Sequence, residues 1–180
     1  MVEQLVERIR KKDQRAMSQL YQQHIGWLSS VCYRYVPAES NVKDVLQNSF
    51  VKIFTAISKV EYRGEESFKA WMKRVVVNEA LHFLSAQKQL LFVEQDVSMQ
   101  QIADDEPQEV ERLSPDELHQ LISKLPDGYR TVVNLYVFEG YSHRKIAELL
   151  GIKETTSATQ LFYAKRLLAK QIRELMNKRR

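Results

Sequence analysis

Hydroxyl, amide, aromatic and basic side chains cluster where the last helical pattern of the chain begins. Thr159, Gln160 and Tyr163 can form hydrogen bonds with the edges of nucleic-acid bases, and Lys165 and Arg166 can neutralise phosphates. The free N–H groups at the amino end of a helix also favour anions. This combination favours DNA binding through the major groove, and a solvated charged helix face is the competing interpretation.

The elements that would position these side chains follow the pattern of a helix-turn-helix. Ser142 can cap a short helix, Gly151 can take the left-handed conformation that ends it, and Thr155 or Thr156 opens the next helix. The pattern therefore predicts a final helix whose inward side is regular and apolar. Its predicted inward residues are Ser157, Leu161, Ala164, Leu168, Ile172 and Leu175.

Side chains that could support catalysis or bind a metal do not cluster in the sequence. His24, His82, His119 and His143 have no partner at metal-ligand spacing, and the single cysteine, Cys32, cannot form an internal disulfide. No glycine-rich phosphate loop or nucleophile motif accompanies them. The sequence therefore predicts no enzyme, no metal site and no cofactor. We expect a partly buried His24, a solvent-facing His143 and a buried thiol at Cys32.

The first half of the chain contains four helical patterns, and the third, from Val42 to Ile57, is the clearest. Asn41 is its expected N-cap. Ser67 is expected to cap the fourth helix. Trp71 is expected to pack in the core, on the inward side of that helix, rather than to serve as a stacking surface. In the second half, Ser114 begins a capping box. The predicted inward side of the fourth helix is Phe68, Trp71, Met72, Val75, Val76, Ala80 and Phe83.

Composition and charge divide the chain into two helical parts. Only 5 Gly and 4 Pro occur in 180 residues, which is few for a protein of many strands. Residues 1–90 carry 14 Lys/Arg and 9 Asp/Glu, residues 91–123 carry 1 and 9, and residues 124–180 carry 12 and 5. We expect an all-α protein with two small basic domains, 1–90 and 115–180, that an acidic linker, 91–114, joins. No apolar run is long enough for a membrane span, and no leader pattern is present, so we expect a cytoplasmic protein.

Three stretches in this order make the chain resemble an extracytoplasmic-function (ECF) sigma factor of the sigma-70 family. They are DVLQNSFVKIF at 44–54, the YRG at 62–64 with Phe68, Trp71, Arg74 and Asn78, and the helix-turn-helix region at 125–168. The resemblance implies a four-helix sigma-2-like domain and a helix-turn-helix sigma-4-like domain. It also implies a subunit that binds core RNA polymerase and directs it to a promoter with −10 and −35 elements.

The resemblance, together with the basic residues that lie near the matched positions in sequence, indicates three sets of binding residues. We expect Phe50 to lie at the edge between the core and the polymerase interface, and Gln160 to flank the −35 readers. The polymerase-binding set is Asp44, Gln47, Asn48, Phe50 and Lys52; the −10 set is Tyr62, Arg63, Lys69, Lys73, Arg74 and Asn78; the −35 set is Thr156, Ala158, Thr159, Gln160, Phe162, Tyr163, Lys165 and Arg166.

The implied partners are core RNA polymerase, through a coiled coil of its largest catalytic subunit and its flap, promoter DNA, and an anti-sigma factor. Stable membrane insertion is not expected. The alternative function is a helix-turn-helix transcriptional regulator whose amino-terminal helices sense a ligand or dimerise. That alternative explains the second half of the chain equally well, but it assigns no purpose to residues 44–54 and 62–78.

Overall fold

Two groups of four α-helices form in this computed structural model, which describes residues 2–87 and 110–179. The chain divides into two compact units, Met1–Ala86 and Gln87–Arg180, which we call unit 1 and unit 2. None of the described residues forms a strand, as expected for an all-α protein. Residues 91–109 of the expected linker lie outside the described residues, so the linker and the domain limits remain a prediction.

Unit 1 is built around α2, α3 and α4, which pack against one another, while α1 packs on α2. The apolar spacing in α3 predicts its buried side correctly, because Val42, Leu46 and Ile53 are at most 6% exposed. A short 3₁₀ turn, Ile57–Lys59, follows α3 and leads into the α3–α4 loop. The helices of unit 1 are α1 (Val2–Arg10), α2 (Gln14–Tyr33), α3 (Glu39–Ala56) and α4 (Glu65–Ala86).

Unit 2 contains the predicted helix-turn-helix. Residues Asp127–Val133, which end in two valines, are helical, and the chain continues as a π-helical turn at Asn134–Phe138. A second 3₁₀ turn, Val110–Arg112, precedes the first α-helix of the unit. The helices of unit 2 are α5 (Pro115–Ser123), α6 (Asp127–Val133), α7 (His143–Leu150) and α8 (Glu154–Asn177).

Two of the expected helix caps in unit 1 are wrong. Helix α3 begins after Ala38, so Asn41 lies inside its first turns rather than at its N-cap. Helix α4 begins at Glu65, two residues before Ser67. In both helices glutamate occupies the first turn, where a negative charge is favoured by the helix dipole. The preceding Gly64 has a φ of 104°, a conformation that glycine adopts without strain.

The expected caps in unit 2 are confirmed. The hydroxyl of Ser114 accepts the N–H of Glu117 at 3.2 Å, and the Glu117 carboxylate accepts the N–H of Ser114 at 2.9 Å. Ser142 accepts the N–H of Lys145 at 3.2 Å, and Gly151 ends α7 with a φ of 66°. Helix α8 begins at Glu154, slightly earlier than expected. These caps define where α5 and α7 begin and how α7 ends.

The inward side of α4 differs in part from the expectation. Phe68, Met72 and Val76 are buried, whereas Trp71 is only half-buried and contacts Phe68 at a ring-centroid distance of 5.5 Å. Trp71 lies at the margin of the inward side, because the neighbouring helices cover only part of the circumference of α4. No helix among residues 2–87 and 110–179 is long and apolar enough to cross a membrane.

Candidate functional site

The outer side of α3 carries an exposed stripe that is polar except for one residue. Asp44, Gln47 and Asn48 are exposed, as a binding surface requires. Val51 lies three and four residues beyond Asn48 and Gln47 and is 60% exposed, so an apolar group stands within the polar stripe. Val51 was not among the expected binding residues, although a valine outside the inward spacing of α3 is a usable signal. We call Asp44, Gln47, Asn48 and Val51 the α3 outer face.

Phe50 does not belong to this face, and its expected position at the edge of an interface is wrong. Its side chain is 4% exposed, and the centroid of its ring lies 4.7 Å from that of Tyr21 and 5.9 Å from that of Phe54. Helix α2 covers it. The spacing already indicated this position, because Phe50 lies four residues after Leu46 and three before Ile53, both of which are buried.

Lys52 has a contact inside unit 1 that the sequence did not predict. Its ammonium forms an ion pair with the carboxylate of Glu79 on α4, and the Glu79 side chain is 7% exposed while that of Lys52 is 58% exposed. The pair connects α3 with α4. Lys52 therefore compensates a buried charge, which is a structural reason for a lysine at this position.

The side chains expected to contact the −10 element divide between two sides of α4. Arg74 and Asn78 are exposed and lie one turn apart, near the half-buried Trp71 on the same side of the helix. Tyr62 in the α3–α4 loop is half-buried, with its ring 6.0 Å from that of Phe68. These residues can form one surface with an aromatic group, an amide and a cation.

The other expected −10 residues have partners of their own or lie elsewhere. Arg63 is exposed and pairs with Glu61 at 2.6 Å, and Lys73 is half-buried in the middle of α4. Lys69 pairs with Glu65 at 2.9 Å and with Glu66 at 3.5 Å, on a different side of α4 from Asn78. Its hydrogen bond to Glu65 raises the pKa of Lys69. The structure therefore does not bring Lys69 together with Asn78.

Arg10 on α1 forms hydrogen bonds with the loop that leads to Tyr62, and the sequence did not predict this contact. Its guanidinium donates to the carbonyl oxygen of Val60 at 2.5 Å and to that of Ile57 at 3.4 Å. The same side chain pairs with Glu7 at 2.5 Å. Charge-assisted hydrogen bonds to two carbonyls restrain the backbone of the loop.

The amino-terminal half of α8 presents aromatic and basic side chains to solvent. Phe162 is 47% exposed, its ring lies 5.4 Å from that of Tyr163, and the Arg166 guanidinium lies 5.3 Å from the Phe162 ring. Lys165 is exposed and Tyr163 and Arg166 are half-buried. Arginine in this position combines a cation with a flat stacking surface. We call Phe162, Tyr163, Lys165 and Arg166 the α8 face.

The smaller residues at the start of α8 have mixed positions. Ala158 is exposed and Thr156 is half-buried. The hydroxyl of Thr159 donates to the carbonyl oxygen of Thr155 at 2.9 Å. Gln160 is 0% exposed, so its expected place beside the DNA-reading residues is wrong. The spacing of the inward side of α8 includes Ser157, Gln160 and Ala164. This spacing could have indicated that Gln160 is buried.

His143 connects the two helices of the helix-turn-helix instead of facing solvent. Its ring stacks on Tyr136 with centroids 4.7 Å apart, and its Nδ1 lies 3.0 Å from the Ser157 hydroxyl oxygen on α8. The histidine is half-buried as a result. Its neighbours fix the orientation of α7 against α8.

The remaining candidates are buried residues with altered proton affinity. His24 is 7% exposed, which is deeper than the partial burial expected, and burial, followed by the charge of Lys69, lowers its pKa. Burial also raises the pKa of the Cys32 thiol to about 12. Within the part of the chain that the structure describes, no cluster of His, Cys, Asp and Glu could hold a metal ion.

Comparison with known proteins places both units in one family. The family described as Sigma-70 region 2 matches residues 20–89, and the one described as Sigma-70, region 4 matches residues 115–168. The ECF RNA polymerase sigma-E factor of Haemophilus influenzae is 29% identical over 187 residues, covering 96% of this chain and 95% of the relative. The RNA polymerase sigma-H factor of Pseudomonas aeruginosa is 27% identical over 185 residues, with coverage of 97% and 95%.

Among solved structures, CnrH in complex with the cytosolic domain of CnrY matches with a TM-score of 0.49 and 21% identity, covering 94% of this chain and 96% of that chain. The family and relative matches include both units and extend over nearly the full length of the relatives. The chain belongs to the ECF group of the sigma-70 family and functions as an RNA polymerase sigma factor.

Proposed function

We propose that the two units divide the work of this sigma factor. The α3 outer face binds core RNA polymerase, the surface around Tyr62 and Asn78 contacts the −10 element, and the α8 face contacts the −35 element. The observation that carries the proposal is the exposed stripe on α3 that ends at Val51, because this apolar side chain is 60% exposed and no neighbouring helix of the described residues covers it. We also propose that the protein acts in the cytoplasm as a subunit rather than as an enzyme.

The α3 outer face has the composition of a protein-binding surface. Val51 supplies an apolar contact, and the Asp44 carboxylate with the Gln47 and Asn48 amides supplies polar contacts beside it. The proposed partner element is a coiled coil of the largest catalytic subunit. A helix that lies along a coiled coil would present such a stripe over two to three turns.

Capture of core polymerase tests this assignment. A double variant, Asp44→Ala with Gln47→Ala, and a single variant, Val51→Asp, should each reduce capture of purified core enzyme by at least about 10-fold, because interface centres carry most of the binding energy. Lys59→Ala is the control, since Lys59 is exposed in the 3₁₀ turn after α3 and lies eight residues beyond Val51, the last residue of the face. Normal capture by folded Asp44 and Val51 variants would disprove the assignment.

The −10 contact is supported by the exposure of Arg74 and Asn78 and by the restrained loop before Tyr62. An unstacked base needs an aromatic surface and a hydrogen-bonding edge, which Tyr62 and Asn78 supply, and Arg63, Lys73 and Arg74 supply positive charge for phosphates. Tyr62→Ala should reduce formation of the open promoter complex and leave capture of core polymerase unchanged. Equal loss of both would indicate a folding defect instead.

The −35 contact is supported by the exposed aromatic and basic groups of the α8 face, together with Ala158 and Thr159. Thr159 and Tyr163 variants should change preference at defined −35 positions. Lys165→Ala should weaken binding to all promoters and reduce the salt slope by about 1. Lys178→Ala removes the same charge about 20 Å further along α8 and serves as the control. A uniform loss from all these variants would disprove the division between base contacts and phosphate contacts.

Run-off transcription on a promoter library, with core enzyme and with or without this protein, tests the proposal as a whole. We expect discrete start sites that depend on the protein. A helix-turn-helix regulator would instead bind specific duplex DNA without polymerase. An anti-sigma partner stays a prediction from the family resemblance, and its presence in the same assay would suppress these transcripts.

A further inference from the structure

Arg10 on α1 uses each nitrogen of its guanidinium in a contact with another residue. Nε donates to the carbonyl oxygen of Ile57 at 3.4 Å, and Nη2 donates to that of Val60 at 2.5 Å. Nη1 pairs with the carboxylate of Glu7, one turn earlier on α1, at 2.5 Å. The two carbonyls lie 47 and 50 positions after Arg10 in the chain. Arg10 therefore joins α1 to the end of α3, although it belongs to none of the three proposed binding surfaces.

The two carbonyls that accept from Arg10 end successive helical turns. Ile57 is the C-cap residue of α3, and Val60 is the C-cap residue of the 3₁₀ turn that follows. The last carbonyls of a helix lack partners inside it, and a cation there is favoured by the helix dipole. Both hydrogen bonds are partly buried, so a carbonyl that loses Arg10 reaches water only if the turn moves. Arg10 thus restrains the direction in which the backbone leaves α3.

The restrained turn leads directly to Tyr62. Val60 and Tyr62 are two residues apart, so their Cα atoms are separated by at most about 7 Å. The centroid of the Tyr62 ring lies 6.0 Å from that of Phe68, and Gly64, which follows Tyr62 in the loop, has a φ of 104°. The ring contact and the glycine restrain Tyr62 from the α4 side, and Arg10 restrains it from the α3 side.

Arg10 itself is poorly placed to bind a phosphate. Its side chain is 29% exposed, and the Glu7 carboxylate offsets its charge. Arg63, in the same loop as Tyr62, has a side chain that is 72% exposed and is better placed to meet a strand. The contacts of Arg10 instead fit a residue that acts through the backbone of the loop.

We propose that Arg10 is a positioning residue for recognition of the −10 element and that it acts through the backbone that carries Tyr62. This inference rests on the proposed contact between Tyr62 and an unstacked base. A loop that is already ordered loses less conformational freedom when DNA binds, and its aromatic ring is in place when the base arrives. Without Arg10, Tyr62 is still present, but the backbone before it samples more positions. The base at Tyr62 then contributes less to binding than it does in the wild type.

The test measures how much a single base contributes to binding. Holoenzyme, made from the full chain and purified core polymerase, is titrated with forked DNA that carries a promoter from the run-off library. Each non-template position in the single-stranded region is replaced in turn by an abasic site. In the wild type, one position should show a loss of affinity of about 10-fold, as expected for a base that stacks on an aromatic ring. Tyr62→Ala should abolish this loss and so identify the position.

Arg10→Met removes the guanidinium and preserves most of the aliphatic length. On intact forked DNA it should lose about 10-fold in affinity, and an abasic site at the Tyr62-dependent position should then cost at most about two-fold more. The double variant, Arg10→Met with Tyr62→Ala, should bind no more weakly than Tyr62→Ala alone, because both changes remove the same contact. Capture of core polymerase by Arg10→Met should equal that of the wild type.

The dependence of affinity on salt separates positioning from direct contact with DNA. Arg10→Met should leave the salt slope unchanged, whereas the loss of one phosphate contact reduces it by about 1. Arg8→Met is the matched control, because it removes an arginine from the same helix whose side chain is 49% exposed and pairs with Asp13. It should behave as wild type at every position. Arg10→Gln, which is neutral and too short to reach both carbonyls, should repeat the pattern if Arg10→Met fails to fold.

Every other outcome overturns the inference. If the Tyr62-dependent loss persists in folded Arg10→Met holoenzyme, Arg10 does not position Tyr62 and the proposed function stands. A salt slope reduced by about 1 would mean that Arg10 contacts a phosphate itself. A matching loss of core-polymerase capture would mean that Arg10 serves only the fold of unit 1. If no position depends on Tyr62 in the first place, the proposed −10 contact fails, and the role of Arg10 fails with it.

Discussion

The ion pair between Lys52 and Glu79 allows protein stability to be separated from polymerase binding. Family resemblance assigns Lys52 to the polymerase, whereas the structure places its ammonium against a buried carboxylate. Replacing Lys52 by Met removes the charge and preserves much of the aliphatic length. We expect this variant to be less stable and to bind core polymerase normally.

The size of the effect follows from the exposure of the two partners. Losing one partner of a fully buried pair costs about 3–5 kcal/mol, and losing one of an exposed pair costs about 0–1 kcal/mol. Glu79 is 7% exposed and Lys52 is 58% exposed, so this pair lies between these cases. We expect a loss of about 2 kcal/mol in the free energy of unfolding of unit 1. For a domain of this size that corresponds to a Tm lower by roughly 8–16 °C.

The double variant, Lys52→Met with Glu79→Leu, provides an internal check. It removes both charges, leaves no uncompensated carboxylate and should recover to within about 1 kcal/mol of wild type. Lys43→Met is the control, because Lys43 and its partner Glu39 have side chains that are 74% and 71% exposed. Its expected cost is below about 1 kcal/mol.

Differential scanning calorimetry of the full chain measures stability, and capture of core polymerase at about 20 °C, where each variant remains folded, measures binding. We expect Lys52→Met to bind core enzyme within about two-fold of wild type. An unchanged Tm together with a loss of binding of about 10-fold or more would refute this reasoning and return Lys52 to the polymerase interface.

Three further predictions concern buried and capping groups. Burial lowers the pKa of His24 below 6.5 in the folded protein, so the unfolded chain binds this proton more readily. The free energy of unfolding, measured in urea, should therefore fall as the pH is lowered from 7 through 6.5 and level off below the pKa of the folded state. The His24→Gln variant should show a smaller dependence on pH. Because the pKa of Cys32 is about 12, the native thiol should react slowly with a disulfide reagent at pH 8 and rapidly in urea, and rapid native labelling would contradict its burial. Ser142→Ala should cost about 1 kcal/mol in unit 2 by calorimetry and weaken −35 binding, and an unchanged transition would mean that the cap does not stabilise α7.

Most of the helices could be predicted from the sequence because the features that specify them are local. Apolar residues at steps of three and four predicted the inward side of α3, and the capping box at Ser114 and the glycine at 151 predicted the start of α5 and the end of α7. Each of these features depends on residues within one or two turns. The two wrong caps, Asn41 and Ser67, have one explanation. Several residues near the start of a helix can serve as its cap, and both helices begin earlier than expected, with glutamate in the first turn.

Only the tertiary structure shows which of the expected binding residues are buried. Phe50 and Gln160 both lie at inward spacing, but only the packing of α2 on α3 and of α6 and α7 on α8 determines how much of each helix is covered. Packing also places Lys69 with Trp27 at a cavity between α1, α2 and the start of α4. Spacing assigns a residue to a side of a helix and cannot say which neighbour covers that side.

The sequence by itself determined that the chain is all-α, that it contains a helix-turn-helix and two basic domains, and to which family its motifs belong. These features follow from periodicity, caps and charge, which are properties of neighbouring residues. Only the tertiary structure decided that Arg10 holds the loop before Tyr62, that Lys52 compensates Glu79, and that α1, α2 and α4 enclose a cavity. The first two contacts join residues 50 and 27 positions apart, and the cavity needs three helices at once. No local rule specifies which distant side chains meet once the helices pack.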